Sequence, residues 1–319
     1  MMSSKILCFR ISDEKDLIHC LLNFSKGYLF RGQSNARWGL TTTLDRKRSK
    51  NIEEIKLFLQ DCEKTIREYN VMCAKNIEYK NEYSAIQTFR RLSFLTSRMK
   101  NIEILARMQH YGAATRLLDV TSSFLIALFF AFEDSNVQDC AVWLFNEKFF
   151  YDYSEIMEEY NPRYHYNYEE KLFDYQIFFN SKEIFYNKVL EQANEYIQKE
   201  DLNNQEKMSI LPVKIVGNNP RLIAQNGAFL FPSTLRPFED HLINILNMSK
   251  ENFQNACNNI SRKKIRNVKE DDIINSAIIK LVFSHKMHPC VERLFNASNI
   301  SYRSIYPDEI GIAKSIKYW

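Results

Sequence analysis

The hydrophobic pattern is densest at Phe124–Phe132, nine consecutive apolar residues that follow a polar cluster of Asp119, Thr121, Ser122 and Ser123. A run that short cannot cross a bilayer, which needs about 20 residues. It is therefore predicted as a helix buried in the core. Thr121 is the expected N-cap, its hydroxyl accepting a free N–H of the first turn. On either side the pattern is weaker. Residues 12–25 read as a short helix capped by Ser12, with Leu17, Leu21 and Leu22 at helical spacing, and Tyr28–Arg31 as a strand ending at Gly32. Apolar positions at three and four spacing (Ile52, Ile55, Leu59, Cys62) predict amphipathic helices within 51–106. Asp139–Phe145 reads as a strand, 147–205 as helical or irregular, and 211–231 as strand-like with turns at Gly217–Pro220 and Asn226–Gly227. The last stretch, 279–319, reads as strand, helix, short strand, turn and helix. The expectation is one α+β domain over 1–319 with helical insertions at about 51–106, 147–205 and 239–278.

Composition narrows the class without naming a function. The chain has 319 residues, 45% hydrophobic and 26% charged, which suits an ordinary globular protein with a large core. A formal charge of +4 allows a nucleic-acid partner without demanding one. Seven cysteines, an odd number without CxxC pairs, point to buried thiols in a reducing, cytoplasmic setting. The first residues carry no secretory h-region, and no membrane association is expected. Only seven glycines occur, against a usual share of about 7% of residues, so each is expected where close approach or unusual backbone geometry requires it.

The common signatures are missing: there is no GxGxxG, P-loop, HExxH or GxSxG. His285, His288 and Cys290 in SHKMHPC lack a second Cys/His cluster to complete a metal site, so no metal is expected. The basic run Arg262–Arg266 reads either as a solvated face or as a track for a phosphate backbone. The strongest local chemistry lies at the start of the apolar helix. A helix N-terminus lined by hydroxyls and next to Arg116 suits an anion such as a phosphate, while the bland alternative is a capped core helix with a surface ion pair.

Four blocks in order resemble the FRG domain family. They are YLFRGQSNARWGLTTTL from Tyr28, the segment QHYGAATRLLDVTSSFLIALFFA from Gln109, NPRLIAQNGAF from Asn219, and YPDEIGIAK from Tyr306. That family is in turn distantly similar, in motif order, to ADP-ribosyltransferases. The resemblance implies an ADP-ribosyltransferase-like split β-sheet with NAD+ lying between its halves. Arg31 would match the first-strand Arg or His, Thr121–Ser123 with Ala127 and Ala131 the Ser-Thr-Ser-like element, and Gln225 the late polar or acidic position.

On that reading Arg31 grips a phosphate bidentately, and Gly32 lets the backbone approach the ligand. Gln33 and Gln109 supply donors and acceptors, and Gly112, Thr115, Arg116, Thr121 and Ser122 complete the cofactor-binding set. Asp119 either orients Arg116 or takes a ribose hydroxyl proton. His110 is the candidate for proton transfer near neutral pH. Tyr111 offers a face for stacking, although it and Trp38 are expected as core packing first. The superfamily usually has a glutamate where Gln225 stands. Glutamine can hydrogen-bond a hydroxyl but cannot act as a base, so Asp119, Glu103, Glu133 or Glu239 would have to serve. Such an enzyme implies a bacterial toxin or anti-phage effector with a protein or single-stranded RNA or DNA acceptor, and a neutralising antitoxin partner. Two alternatives stay open: a non-catalytic nucleotide- or partner-binding module, and an NAD-independent nuclease using His110.

Overall fold

A computed structural model describes residues 3–24, 27–50, 80–93, 98–134, 137–153, 175–198, 208–215 and 219–316. The helices expected over 51–79, with Cys62 and Cys73, lie outside these, as do Gly217 and the whole of 154–174.

Seven strands form one mixed sheet: β1 (Ser3–Ile11), β2 (Tyr28–Gln33), β3 (Leu118–Thr121), β4 (Cys140–Asn146), β5 (Ile210–Val213), β6 (Gly227–Pro232) and β7 (Ser276–Phe283), in the order β1-β7-β4-β2-β3-β6-β5. Only β1 and β7 run parallel; every other neighbouring pair is antiparallel. β4 and β7 are buried at every position, which fits their largely apolar composition, interrupted by Asn146, Ser276 and the buried Lys280. β1 has no counterpart in the sequence reading. It forms by pairing with β7, so strands from the two ends of the described chain meet in one sheet.

The sheet is almost divided. β2 is registered with β4 from Tyr28 to Gln33, and β3 with β6 from Leu118 to Thr121. β2 and β3 share a single registered pair, Phe30 opposite Thr121. Facing residues of an antiparallel pair project to the same side. Phe30 and Thr121, and equally Asp119 and Phe229, therefore share one face. On that face two separate apolar clusters lie over the two halves. One gathers Phe30, Phe124, Leu128 and Leu144 under helices α1 (Glu14–Asn23) and α3 (Phe124–Phe132). The other gathers Phe229, Phe231 and Leu211 under α2 (Asn101–His110) and the helix Tyr175–Gln198. Asp119 and Thr121 stand on the strand between them. A third cluster, with Leu29, Trp143, Phe145 and Leu230, closes the opposite face.

The helix α3 spans the nine apolar residues expected of it, and seven of them are buried. Its N-cap is Ser123, not Thr121: the Ser123 hydroxyl accepts from the Ile126 N–H, while Thr121 still belongs to β3. α1 likewise starts at Glu14 behind Asp13, whose carboxylate accepts from the Asp16 N–H, one residue later than the Ser12 cap expected. The short strand expected after 300 is a helical turn, α5 (Tyr302–Ile305), closed by a Ser301–Ser304 capping box. It is followed by α6 (Glu309–Ile316). Among the described residues no helix is long and apolar enough to cross a membrane. Cys8, Cys20, Cys140 and Cys257 are buried, and Cys290 is half-buried.

Candidate functional site

The gap between β2 and β3 is bridged by a side chain. Arg31 donates from Nη1 to the Asp119 carbonyl at 2.7 Å, and its buried Nε has no hydrogen-bond partner among the described residues. Partial desolvation is the largest influence on this guanidinium and lowers its pKa; Asp119 opposes that and nearby Arg46 adds to it. Asp119 is exposed, and its Oδ1 accepts from Gln109 Nε2 at 2.6 Å. The same amide's Oε1 accepts from the Thr115 hydroxyl. Thr115 is tied in turn to the helical segment that starts at residue 43: its N–H donates to Thr43 Oγ1 at 2.9 Å, and the Thr43 hydroxyl and Leu44 N–H donate to its carbonyl. A continuous polar chain thus runs from the start of the helical segment at 43–44 through Thr115 and Gln109 to Asp119, whose carbonyl meets Arg31.

The turn that makes this chain possible is the end of α2. Gly112 has φ +88°, a left-handed geometry that closes the helix C-terminus. It leaves His110 and Tyr111 at the surface, with Tyr111 65% exposed and Trp38 53% exposed, so neither ring packs in the core as expected. The His110 and Tyr111 rings meet edge-on at 5.1 Å, and the Arg107 guanidinium lies 5.8 Å from the Tyr111 ring centre. The pKa of His110 is lowered, first by partial burial and then by Arg221 and Arg107, with Asp308 opposing.

The short helix α4 (Pro220–Ala224) carries Arg221 and is closed at its C-terminus by Gln225. The Thr121 hydroxyl donates to the Gln225 carbonyl at 2.7 Å, and the Ser122 N–H and hydroxyl donate to the Asn226 carbonyl. This binds the end of α4 to the end of β3. Gln225 Nε2 is buried and has no hydrogen-bond partner among the described residues. The Arg221 guanidinium stacks over the Tyr306 ring at 4.7 Å.

Several expected site residues serve the fold instead. Gly32 does not admit a ligand. A Cβ there would strike the Ala127 carbonyl and the Ala131 nitrogen, so this glycine lets α3 lie close on β2. Gln33 is buried and saturated, donating to the Gly39 carbonyl at 3.0 Å and accepting from Trp143 Nε1 at 2.6 Å. Arg116 is buried with Glu82, to which its Nε donates at 2.6 Å, and it packs over Phe231. Asp119 therefore does not orient it. Thr121 and Ser122 spend their hydroxyls on backbone carbonyls. The substitute acids are likewise engaged. Glu103 caps the start of α2, Glu133 binds Lys314 and the Tyr306 hydroxyl, and Glu239 accepts from the Leu40 N–H. In the basic run, Lys264 and Arg266 pair with Asp13 and Asp16, and Ile265 is fully buried. His285 pairs with Asp139, and His288 packs against Phe132 at 5.8 Å. No metal-ligating cluster is present among the described residues.

The expected residues thus fall into separate groups. Arg31 meets the Asp119 carbonyl at the β2–β3 junction. Alternation along β2 nevertheless turns its side chain to the Trp143 face, away from the face of the Asp119 carboxylate, Gln109 and Thr115. His110 lies at the end of α2 and Gln225 at the end of α4. Arg107 and Arg221 were not singled out in the sequence. Arg107 carries a local signal, four residues before Tyr111 on one helix face. Arg221 has none, because its tyrosine comes from the other end of the chain.

These features define an α+β protein with a seven-stranded mixed sheet and a chain of polar side chains at the β2–β3 junction. Residues 26–140, which include Arg31, Gln109, Thr115 and Asp119, match the family model described as FRG domain. No curated protein and no solved structure matches the chain.

Proposed function

We propose that the gap between β2 and β3 binds the phosphates of a nucleotide and that the reaction is NAD+-dependent ADP-ribosyl transfer. The observation that carries this reading is Arg31, a guanidinium drawn partly out of water with one carbonyl for a partner and a buried, unsatisfied Nε. Leaving such a donor unmade costs about 1–3 kcal/mol, and an anionic oxygen would relieve it. The single registered pair between β2 and β3 supports the same reading. Asp119 supplies the negative charge. Departure of nicotinamide leaves an oxocarbenium-like ribose, and a carboxylate fixed by Gln109 would stabilise that charge and accept the acceptor's proton. Gln225, without charge, would contribute a hydrogen bond from its unpartnered Nε2.

The acceptor on this reading is a protein or a nucleic acid. The basic run does not discriminate, since two of its cations are neutralised within the chain. A toxin or anti-phage role with an antitoxin partner, in the cytoplasm, belongs to the same proposal. A second reading, a non-catalytic nucleotide-binding module, is favoured by Gln225 standing where a glutamate would act. The test is calorimetric titration with NAD+ together with nicotinamide release in cell extract, for the native protein, Arg31→Ala and Asp119→Asn. Binding weakened roughly 10–100-fold by Arg31→Ala, with release abolished by Asp119→Asn, is the expected result. Binding without any release selects the module. Affinity indifferent to Arg31→Ala removes both readings.

A further inference from the structure

The stretch that follows β2, residues 34–50, carries Arg37, Arg46, Lys47, Arg48 and Lys50 against one acid, Asp45. Hydrogen bonds wrap it around the segment 235–239. The Leu40 N–H donates to Glu239 at 3.0 Å, the Phe238 N–H donates to Asp45 at 3.3 Å, and Arg48 donates to the Leu235 carbonyl. This wrap sorts the charges. Asp45 is buried, its carboxylate accepting the Thr42 and Phe238 N–H groups, and the half-buried Glu239 is spent on Leu40. Asp240 is half-buried beside it, and Asp139, which meets Ala36 through the backbone, is held by Arg10 and His285.

The cations face outward. Arg37, Arg46, Lys47 and Arg236 are exposed, and Trp38 stands among them 53% exposed. Arg46 reaches back to the Thr41 carbonyl at 2.8 Å, which holds its guanidinium near Trp38 in the chain. Among the described residues, the side chains of Arg37, Lys47 and Arg236 donate no hydrogen bond and form no ion pair. An exposed indole among cations suits one kind of partner: the ring stacks on an unpaired base while the cations meet its phosphates. A duplex keeps its base faces stacked away, and an acidic peptide would use the cations alone.

We infer that Arg37, Trp38, Arg46, Lys47 and Arg236 form a docking surface for single-stranded nucleic acid. The helical segment that carries Arg46 and Lys47 starts where Thr43 and Leu44 bond Thr115, which orders Gln109 and Asp119. A strand held there is brought to the end of the polar chain that fixes Asp119. That the strand is also the acceptor rests on the transfer reading; the docking surface does not.

The experiment is fluorescence anisotropy of labelled oligothymidylate and oligouridylate without NAD+, over a range of salt, for the native protein, Trp38→Ala and Lys47→Gln, with circular dichroism to confirm folding. The native protein should bind at least one strand, and Trp38→Ala should weaken that binding about tenfold. Lys47→Gln should lower the slope of log affinity against log salt concentration by about 0.7. Calorimetric NAD+ affinity should be unchanged in Trp38→Ala, which separates this surface from the phosphate site at Arg31. Native protein that binds neither strand, that binds a duplex of the same length equally well, or that is indifferent to Trp38→Ala overturns the inference. Strand binding through Trp38 in a protein that does not bind NAD+ removes the transfer reading and leaves the surface standing.

Discussion

Arg116 and the arginines of the cleft differ by one partner. Arg116 lies in the packing between the helix Lys80–Leu92 and β6, with Glu82 beside it and both side chains at most 7% exposed. Arg31, Arg107 and Arg221 hold aromatic rings or a single carbonyl, and none hydrogen-bonds a carboxylate. A buried ion pair does its work within the fold and offers nothing to a ligand. An arginine kept half-buried without a hydrogen-bonded carboxylate is the arrangement a protein needs at an anion site, because the missing partner arrives with the ligand. The motif Thr115-Arg116 reads in sequence as part of the cleft, yet the two side chains serve different ends: Thr115 orders Gln109 and Asp119, and Arg116 secures the fold.

The largest test of this contrast removes the counter-charge. Glu82→Ala is expected to destabilise the protein by about 3–5 kcal/mol in urea unfolding, since it strands a buried guanidinium. The double change Glu82→Leu with Arg116→Met should recover most of that loss. By contrast, Arg221→Gln should cost less than about 1 kcal/mol, the scale of one partly exposed cation–π contact. Equal losses at the two sites would erase the distinction.

A second test uses pH. His241 is fully buried, its Nε2 accepting the Thr234 N–H at 3.3 Å and its Nδ1 placed to donate to the Pro237 carbonyl at 3.1 Å. That arrangement requires a neutral ring. Burial is the main cause of a pKa lowered from 6.5 to about 4, with Arg116 adding to the shift and the Pro237 bond opposing it. The unfolded chain therefore binds the proton more readily, so stability present above pH 6.5 is lost as pH falls towards 4. The loss should reach roughly 3 kcal/mol. His241→Gln should flatten unfolding free energy across that window, and an unchanged slope would show that another group titrates there.

The smallest effect probes the polar chain. Thr115→Val removes the hydroxyl that fixes the Gln109 amide, at a cost of about 1 kcal/mol, whereas Thr115→Ser restores it. NAD+ affinity measured beside stability should fall for the valine and recover for the serine. Parallel behaviour of the two variants would make Thr115 a packing residue.

Some of this was legible before folding. Nine apolar residues in a row had to be buried, because their exposure has no compensation in water, and α3 occupies that run. The β4 strand and the turn at Asn226–Gly227 follow from equally local rules. The polar cluster before α3 announced a cap but not its owner, since Thr121 and Ser123 are alike in chemistry and only the length of β3 separates them. What chain order could not assign was partnership. Gly32 answers to α3, Gln33 to Trp143, Arg116 to Glu82 and Arg221 to Tyr306, each a contact between segments distant in sequence. β1 is a strand because β7 lies beside it. Local propensity and burial act through neighbours along the chain, so they can be read from it. Whether a buried donor meets an acceptor or waits for a ligand depends on which segments the sheet brings together, and only the tertiary structure decides that.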